Sequence, residues 1–346
     1  MAAPTLHDPI PDDDADVGEQ LTPNLPVVVP AEPSLPDILD RKIERATAYA
    51  KAARSAATRK AYASDWVIFT KWCAELALTP LPASPGQVAT FAADQADAGL
   101  NPSTIVRRVA AIGHYHRAAG YPAPTAQPDA GGLAEVMAGI RAEKGTRKIK
   151  KRPADAAALR NMLAEVKGDG LRAVRDRALL AIGMAAALRR SELVALELGH
   201  VGLVPKGLEI LIARSKTDQD REGATIAIPE GTRIRPKALL LAWIAAAGHK
   251  NGPLFRRLTR SDQLTEDPMS DKAVARLVKR CAAAAGYDPR EFSGHSLRSG
   301  FLTEGAGQGA TIFKLQDVSR HKTVQILSEY VRDADRFNNH AGERFL

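Results

Sequence analysis

The chain has 346 residues, enough for about two domains, and 45% of them are hydrophobic, which can fill two ordinary cores. Its longest apolar runs, 178–188 and 239–248, fall short of the roughly 18 residues needed to span a bilayer, and the N-terminus lacks the basic-then-apolar order of a signal peptide. A soluble, cytoplasmic protein with no membrane partner is therefore expected.

The formal charge of +8 is unevenly spread. Residues 1–40 carry nine acids and no Lys or Arg, so the other 306 residues hold 48 basic and 31 acidic groups, a net of +17. An excess of that size fits a polyanion partner and steep salt dependence. Cys73 and Cys281 are far apart and without a CxxC, which excludes a disulfide framework and a cysteine zinc site. Both are expected to fill core space. His114 and His116 are two apart and face different sides of a helix, so no metal site is expected.

In chain order, residues 1–36 hold eight prolines with neither helical nor strand period, and predict a disordered acidic tail. Residues 37–145 predict a helical domain. Tyr62, Trp66, Phe69, Trp72 or Cys73, and Leu76 form one apolar stripe. Ser84, Pro85, Gly86 and Gln87 read as a capping box with proline at the first helical position. Ile105, Val109 and Ile112 form a second stripe, which predicts that Arg107 and Arg108 point largely outward. These two, with Arg59, Lys60 and Arg117, are candidate phosphate contacts.

The run TRKIKKRP at 146–153 contains Arg147, Lys148, Lys150, Lys151 and Arg152. It predicts a basic interdomain linker lying along a phosphate backbone. Helices resume over 154–346, interrupted by a β-hairpin around a polar turn that carries Lys216, and by loops near 248–253 and 259–268. The fold class is mainly α with a small β-sheet.

Candidate chemistry gathers in this second domain. In ALRRSELVAL, Arg189 ends a buried apolar helix and Glu192 stands one turn on, able to hold it. In SGHSLRSG, His295 and Arg298 are three apart on one helix face. His321 follows, and nine residues later Tyr330 lies on a helical run with Val324, Leu327 and Val331. GAGQGA at 305–310 mimics a dinucleotide fingerprint but follows a helix, so it reads as a helix stop before a start capped by Thr311. Two imidazoles, guanidinium groups and a phenol suit a phosphate. Arginine's planar fork matches two phosphoryl oxygens and keeps its proton, while tyrosine needs a nearby base and a positive field to act as a nucleophile.

Taken together, Arg189, Lys216, His295, Arg298, His321 and Tyr330 resemble the tyrosine recombinase (phage integrase) family over residues 155–337. The match is to its A-L-R-x-S-E-L box, its hairpin lysine, its G-H-x-L-R box, and its last box with nine residues from histidine to tyrosine. The stretches SAATRKAYASDWVIFTKWCAEL and PSTIVRRVAAIGHYHRAAGYPAP are also similar to the helical DNA-clamping domain of Cre recombinase. The family often has Gly before the last histidine, and His or Thr after the second arginine. Here Arg320, and Ser299 with Gly300, stand there.

The resemblance implies a two-domain clamp on double-stranded DNA, with a helical core-binding domain and a catalytic domain. It implies cleavage by Tyr330 through a 3′-phosphotyrosyl link, without metal, ATP or another cofactor. Arg189 and Arg298 would hold the phosphate, His295 act as acid and base, His321 bond a phosphoryl oxygen, Lys216 protonate the leaving 5′-oxygen, and Glu192 orient the site. It further implies a homo-tetramer on two duplexes bearing inverted-repeat core sites, with monomers in free solution. Two other readings stay open: a relaxing or telomere-resolving enzyme of the same chemistry, and a DNA-binding regulator that does not cleave.

Overall fold

The computed structural model describes residues 35–145, 150–213 and 223–334. The chain divides between Arg147 and Lys148 into two compact units. Among the described residues no helix is long and apolar enough to cross a membrane.

The first unit is built from α1 (Leu35–Ala52), α2 (Ala56–Glu75), α3 (Pro85–Asp97), α4 (Pro102–Ala118) and α5 (Gly131–Lys144). Polar caps set the helix starts: Ser55, Ser84 and Asn101 each accept a backbone N–H of the first turn, with proline opening α3 and α4. Phe69, Cys73, Val88, Phe91, Ile105 and Ile112 are fully buried between α2, α3 and α4. Buried within the same unit, the His116 ring accepts the Ala83 N–H at Nε2 and lies 2.8 Å from the Ile112 carbonyl at Nδ1, which fixes a neutral tautomer.

Three details differ from the sequence reading. Leu76 is the C-cap of α2 and 54% exposed, so the apolar stripe ends at Cys73. The Gln87 side chain does not return to its cap; it donates instead to the Thr79 carbonyl at 3.0 Å and to Cys73 Sγ at 3.2 Å. The buried Asp65 carboxylate draws Arg107 and Arg108 inward: Arg107 grips it through Nε and Nη2 at 2.8 and 3.0 Å, and Arg108 Nε lies 3.7 Å away. Arg107 stays half exposed, but the Arg108 side chain is only 13% exposed, so it does not point outward.

The second unit begins with α6 (Ala156–Ala164), α7 (Leu171–Ala185) and the short α8 (Arg190–Val194). An antiparallel sheet follows in the order β1 (Val201–Val204), β2 (Gly207–Ile212), β3 (Ala224–Pro229), and its β2–β3 ladder runs from Gly207 opposite Pro229 to Ile212 opposite Ala224. Next come α9 (Pro236–Ala247), β4 (Arg256–Leu258), β5 (Leu264–Pro268), α10 (Asp271–Ala284), α11 (Ser296–Gly307), α12 (Ile312–Ser319) and α13 (Val324–Ala334). The strand β5 lies where the sequence predicts a loop. Its polar LTEDP carries little strand signal, and it is a strand because β4 pairs with it.

The core of this unit is organised on α7, whose run from Ala178 to Met184 is buried on every side. Trp243 of α9 is fully buried and satisfies its indole N–H on the Leu254 carbonyl at 2.7 Å. Cys281 is buried too, which pushes its thiol up to about 11 and makes it an inert core residue. Within the motif GAGQGA α11 stops at Gly307, and just past it Thr311 caps α12 by accepting the Lys314 N–H.

Residues 150–153 belong to this unit. Lys151 Nζ donates to the Arg290 carbonyl at 2.7 Å, and the Arg152 N–H to the Glu291 carbonyl at 2.8 Å. The Arg152 guanidinium sits 4.6 Å above the Tyr287 ring. The Ala154 N–H donates to the Ser296 carbonyl at 2.8 Å, and a Cβ on Gly300 would come within 1.9 Å of the Ala154 carbonyl oxygen. Gly300, the last residue of SGHSLRSG, is therefore a close backbone approach between the entering segment and α11. Gly300→Ala is expected to destabilise the second unit by about 3 kcal/mol, whereas Gly139→Ala, in the open flank of α5 with nothing within 4 Å, should stabilise the first by about 0.5–1 kcal/mol. Urea denaturation of both variants checks the contrast.

Candidate active site

The site starts where α7 stops. Ala187, at φ 47°, turns the chain so that Arg298 Nη1 of α11 donates to the Ala187 carbonyl at 2.6 Å. Arg189 is then the N-cap of α8, with Glu192 three residues on. The Glu192 carboxylate accepts the Arg189 backbone N–H at Oε2 (2.9 Å) and the Arg189 guanidinium at Oε1 (2.6 Å). A second guanidinium, from Arg320, reaches Oε2 at 2.7 Å. Burial alone would raise the Glu192 carboxyl, but Arg320 and the bonds from Arg189 outweigh it and hold the group below the usual carboxylate range.

Arg298 is fully buried, and its Nη2 lies 3.3 Å from both ring nitrogens of His321. Burial, then the neighbouring Arg189, pull its pKa down to about 9, which still leaves the guanidinium charged at neutral pH. Since a guanidinium only donates, the His321 ring must accept. That agrees with a pKa lowered to about 4 by burial and by the field of Arg298 and Arg189. Ser319 Oγ, 2.8 Å from His321 Nδ1, and Gln316 Nε2, donating to the His321 carbonyl at 2.9 Å, fix the ring and its turn.

His295 caps α11 at the mouth of the site, and its pKa is likewise lowered, by partial burial and by Arg298, Arg189 and Arg190. Tyr330 lies half-buried on α13, packed against the Leu302, Leu315 and Leu327 cluster. Burial raises its phenol above the ordinary value, against the pull of Lys150 and Arg298. A cavity of about 540 Å³ is lined by Tyr330 and His295 together with Lys150, Lys151, Ser293 and Ser299. Lys150 Nζ is bonded to Glu329 at 2.8 Å, immediately before the tyrosine.

The structure thus brings Arg189, Glu192, His295, Arg298 and His321 together and places Tyr330 on the same cavity as His295. Arg59, Lys60, Arg107, Arg108 and Arg117 lie on α2 and α4 of the other unit. Arg147, Lys148 and Lys216 lie outside the described residues. Among the described residues no three His, Cys, Asp or Glu side chains converge as metal ligands would. The residue that sequence reasoning missed is Arg320, whose one signal was a charged side chain at a position where the resemblance favours glycine.

Residues 155–336 match the model of the phage integrase family. The chain belongs to that family. The integrase/recombinase xerD homolog of Selenomonas ruminantium is 36% identical over 289 residues, covering 83% of this chain and 84% of that protein. Tyrosine recombinase XerD of Xanthomonas axonopodis pv. citri is 33% identical over 167 residues, 45% of this chain and 50% of the other. Among solved structures, XerH site-specific recombinase bound to a palindromic difH substrate shares the fold at TM-score 0.56 and 16% identity, over 74% of this chain and 70% of that one. A lambda integrase dimer bound to a COC′ core site does so at TM-score 0.55 and 18% identity, over 86% and 95%. The protein is a tyrosine recombinase, a site-specific DNA recombinase.

In this recombinase the depressed His321 pKa has a definite sign. Between about 4 and the ordinary 6.5 the unfolded chain binds more protons at this residue than the folded one. Its contribution to stability therefore falls as pH drops through that window and is constant above it. Observed by NMR, the His321 ring should stay neutral from pH 8 to 5 and begin to titrate only near 4. Titration near 6.5 would mean that water and not Arg298 surrounds the ring.

Proposed function

We propose that the recombinase cuts and rejoins duplex DNA through a phosphotyrosyl intermediate formed by Tyr330. The observation that carries this reading is one cavity lined by both Tyr330 and His295, each of them within the field of Arg298, whose Nη2 meets the His321 ring. The phenol is protonated at neutral pH, so it must lose its proton as it attacks. His295, kept neutral by partial burial and by its cationic neighbours, takes that proton. Tyr330 Oη bonds to phosphorus and the bond to the 5′-oxygen breaks. Arg189 and Arg298 hold the phosphoryl oxygens as charge builds on them, and neutral His321 adds a hydrogen bond.

Lys216 supplies the proton to the departing 5′-oxygen, leaving a 3′-phosphotyrosyl ester and a free 5′-hydroxyl. Attack by an incoming 5′-hydroxyl reverses the step on a new partner. The ester keeps the energy of the broken bond, so neither nucleotide hydrolysis nor a metal is called for.

Duplex DNA as substrate is supported by the net charge of +17 beyond residue 40 and by the substrate-bound XerH and lambda integrase structures. We assign residues 37–145 to core-site binding, with Arg59, Lys60, Arg107 and Arg117 on phosphates, and 154–346 to catalysis, with Lys150, Lys151 and Arg152 at its entrance. The acidic, proline-rich stretch 1–36 is given no role; its residues 1–34 lie outside the described residues. An inverted-repeat site, a tetramer spanning two duplexes and action in the cytoplasm complete the proposal.

Tyr330→Phe is expected to bind a nicked duplex, selected from a random library by the wild-type protein, with unchanged affinity and to form no covalent adduct on a denaturing gel. An adduct in that variant would overturn the assignment. Wild-type cleavage of the same duplex should persist in EDTA and without nucleotide, and a strict magnesium requirement would refute the metal-free route.

A further inference from the structure

Arg320 stands in an awkward place for an arginine. As the C-cap of α12 it has φ 56° and ψ 43°, the left-handed region, where any residue with a Cβ costs about 1 kcal/mol relative to glycine. Nothing in the backbone favours it there, so what retains it must be its side chain.

That side chain is 10% exposed and closed onto the site. Nη2 donates to Glu192 Oε2 at 2.7 Å, and Nη1 to the Val318 carbonyl at 2.8 Å, which is the short, charge-assisted geometry of a strong pair. Its Nε is buried without a hydrogen-bond partner. The guanidinium is therefore held by its two ends alone, one on its own turn and one on Glu192.

We propose that Arg320 is a positioning residue for strand cleavage: by sharing Glu192 with Arg189 it keeps Arg189 aimed and incompletely neutralised, and it ties the turn that carries His321 to α8. This rests on the reading of the site given above. Two consequences follow from the geometry. With one arginine, the Glu192 carboxylate would form a closed neutral pair with Arg189 and quench its field at the phosphate. With two, the trio carries a net positive charge, and each carboxylate oxygen is pinned from a different side. Because Arg320 directly precedes His321, the same bond also fixes where the imidazole meets Arg298 Nη2.

The test is single-turnover cleavage of the selected nicked duplex by Arg320→Gly and Arg320→Lys, with melting temperature and DNA affinity measured alongside. Arg320→Gly relieves the backbone but removes one partner of a buried pair, so it should melt a few degrees below the wild type, remain folded at the assay temperature and bind DNA within about twofold. Its cleavage should be slower by on the order of ten- to a hundredfold, the range of loss seen when an orienting partner is removed. Guanidinium added at non-denaturing concentration should recover part of that rate, and Arg320→Lys, which keeps the charge, should fall between. Wild-type cleavage by Arg320→Gly would overturn the proposal. So would a slow variant that guanidinium does not rescue and lysine does not improve, because that pattern assigns Arg320 to packing. Tyr330→Phe on the same duplex separates the two levels: an adduct there sinks the site assignment itself, while its absence beside a fully active Arg320→Gly sinks only the role of Arg320.

Discussion

The buried carboxylate of Glu192 sits between two guanidinium groups that reach it from opposite ends of the second unit's sequence, Arg189 at the start of α8 and Arg320 at the end of α12. A lone carboxylate in that setting would carry a desolvation penalty of several kcal/mol and drift toward its neutral form. Paired on both oxygens it stays ionised, and it joins two separate chain segments, α8 and the end of α12, into one cationic wall. Arg298 joins the wall by a different device, a bond to the Ala187 carbonyl, which the left-handed turn at the end of α7 presents to it.

Burial and charge crowding together set the protonation of the other groups in the site. His295 and His321 are held neutral by burial first and then by the arginines around them, and Tyr330 is held protonated by burial. A phosphate entering such a place would add the negative charge the wall lacks. On the proposed mechanism that charge would meet a neutral His295, able to accept the phenol's proton.

Much of this was legible in the sequence because the informative residues stand at helix ends with fixed local spacing. The Arg189 and Glu192 pair lies within one turn, His295 and Arg298 within another, and the caps at Ser84 and Thr311 announce their helices. What stayed hidden depends on partners distant in sequence. Asp65 captures Arg107 and Arg108 from 42 and 43 positions away, which no periodicity can foresee. The strand β5 exists only through β4, and Arg320 reveals itself only once Glu192, 128 positions upstream, is beside it.

The segment 150–154 reads as a spacer by composition, yet it is stitched to α11 and the loop before it through Arg152, Ala154 and the bare backbone at Gly300. That changes where the molecule can be cut. A chimera that grafts another first unit onto this second unit should take its seam upstream of Lys150, since a seam at Pro153 would strip away the segment against which α11, with His295 at its start and Arg298 within it, is seated.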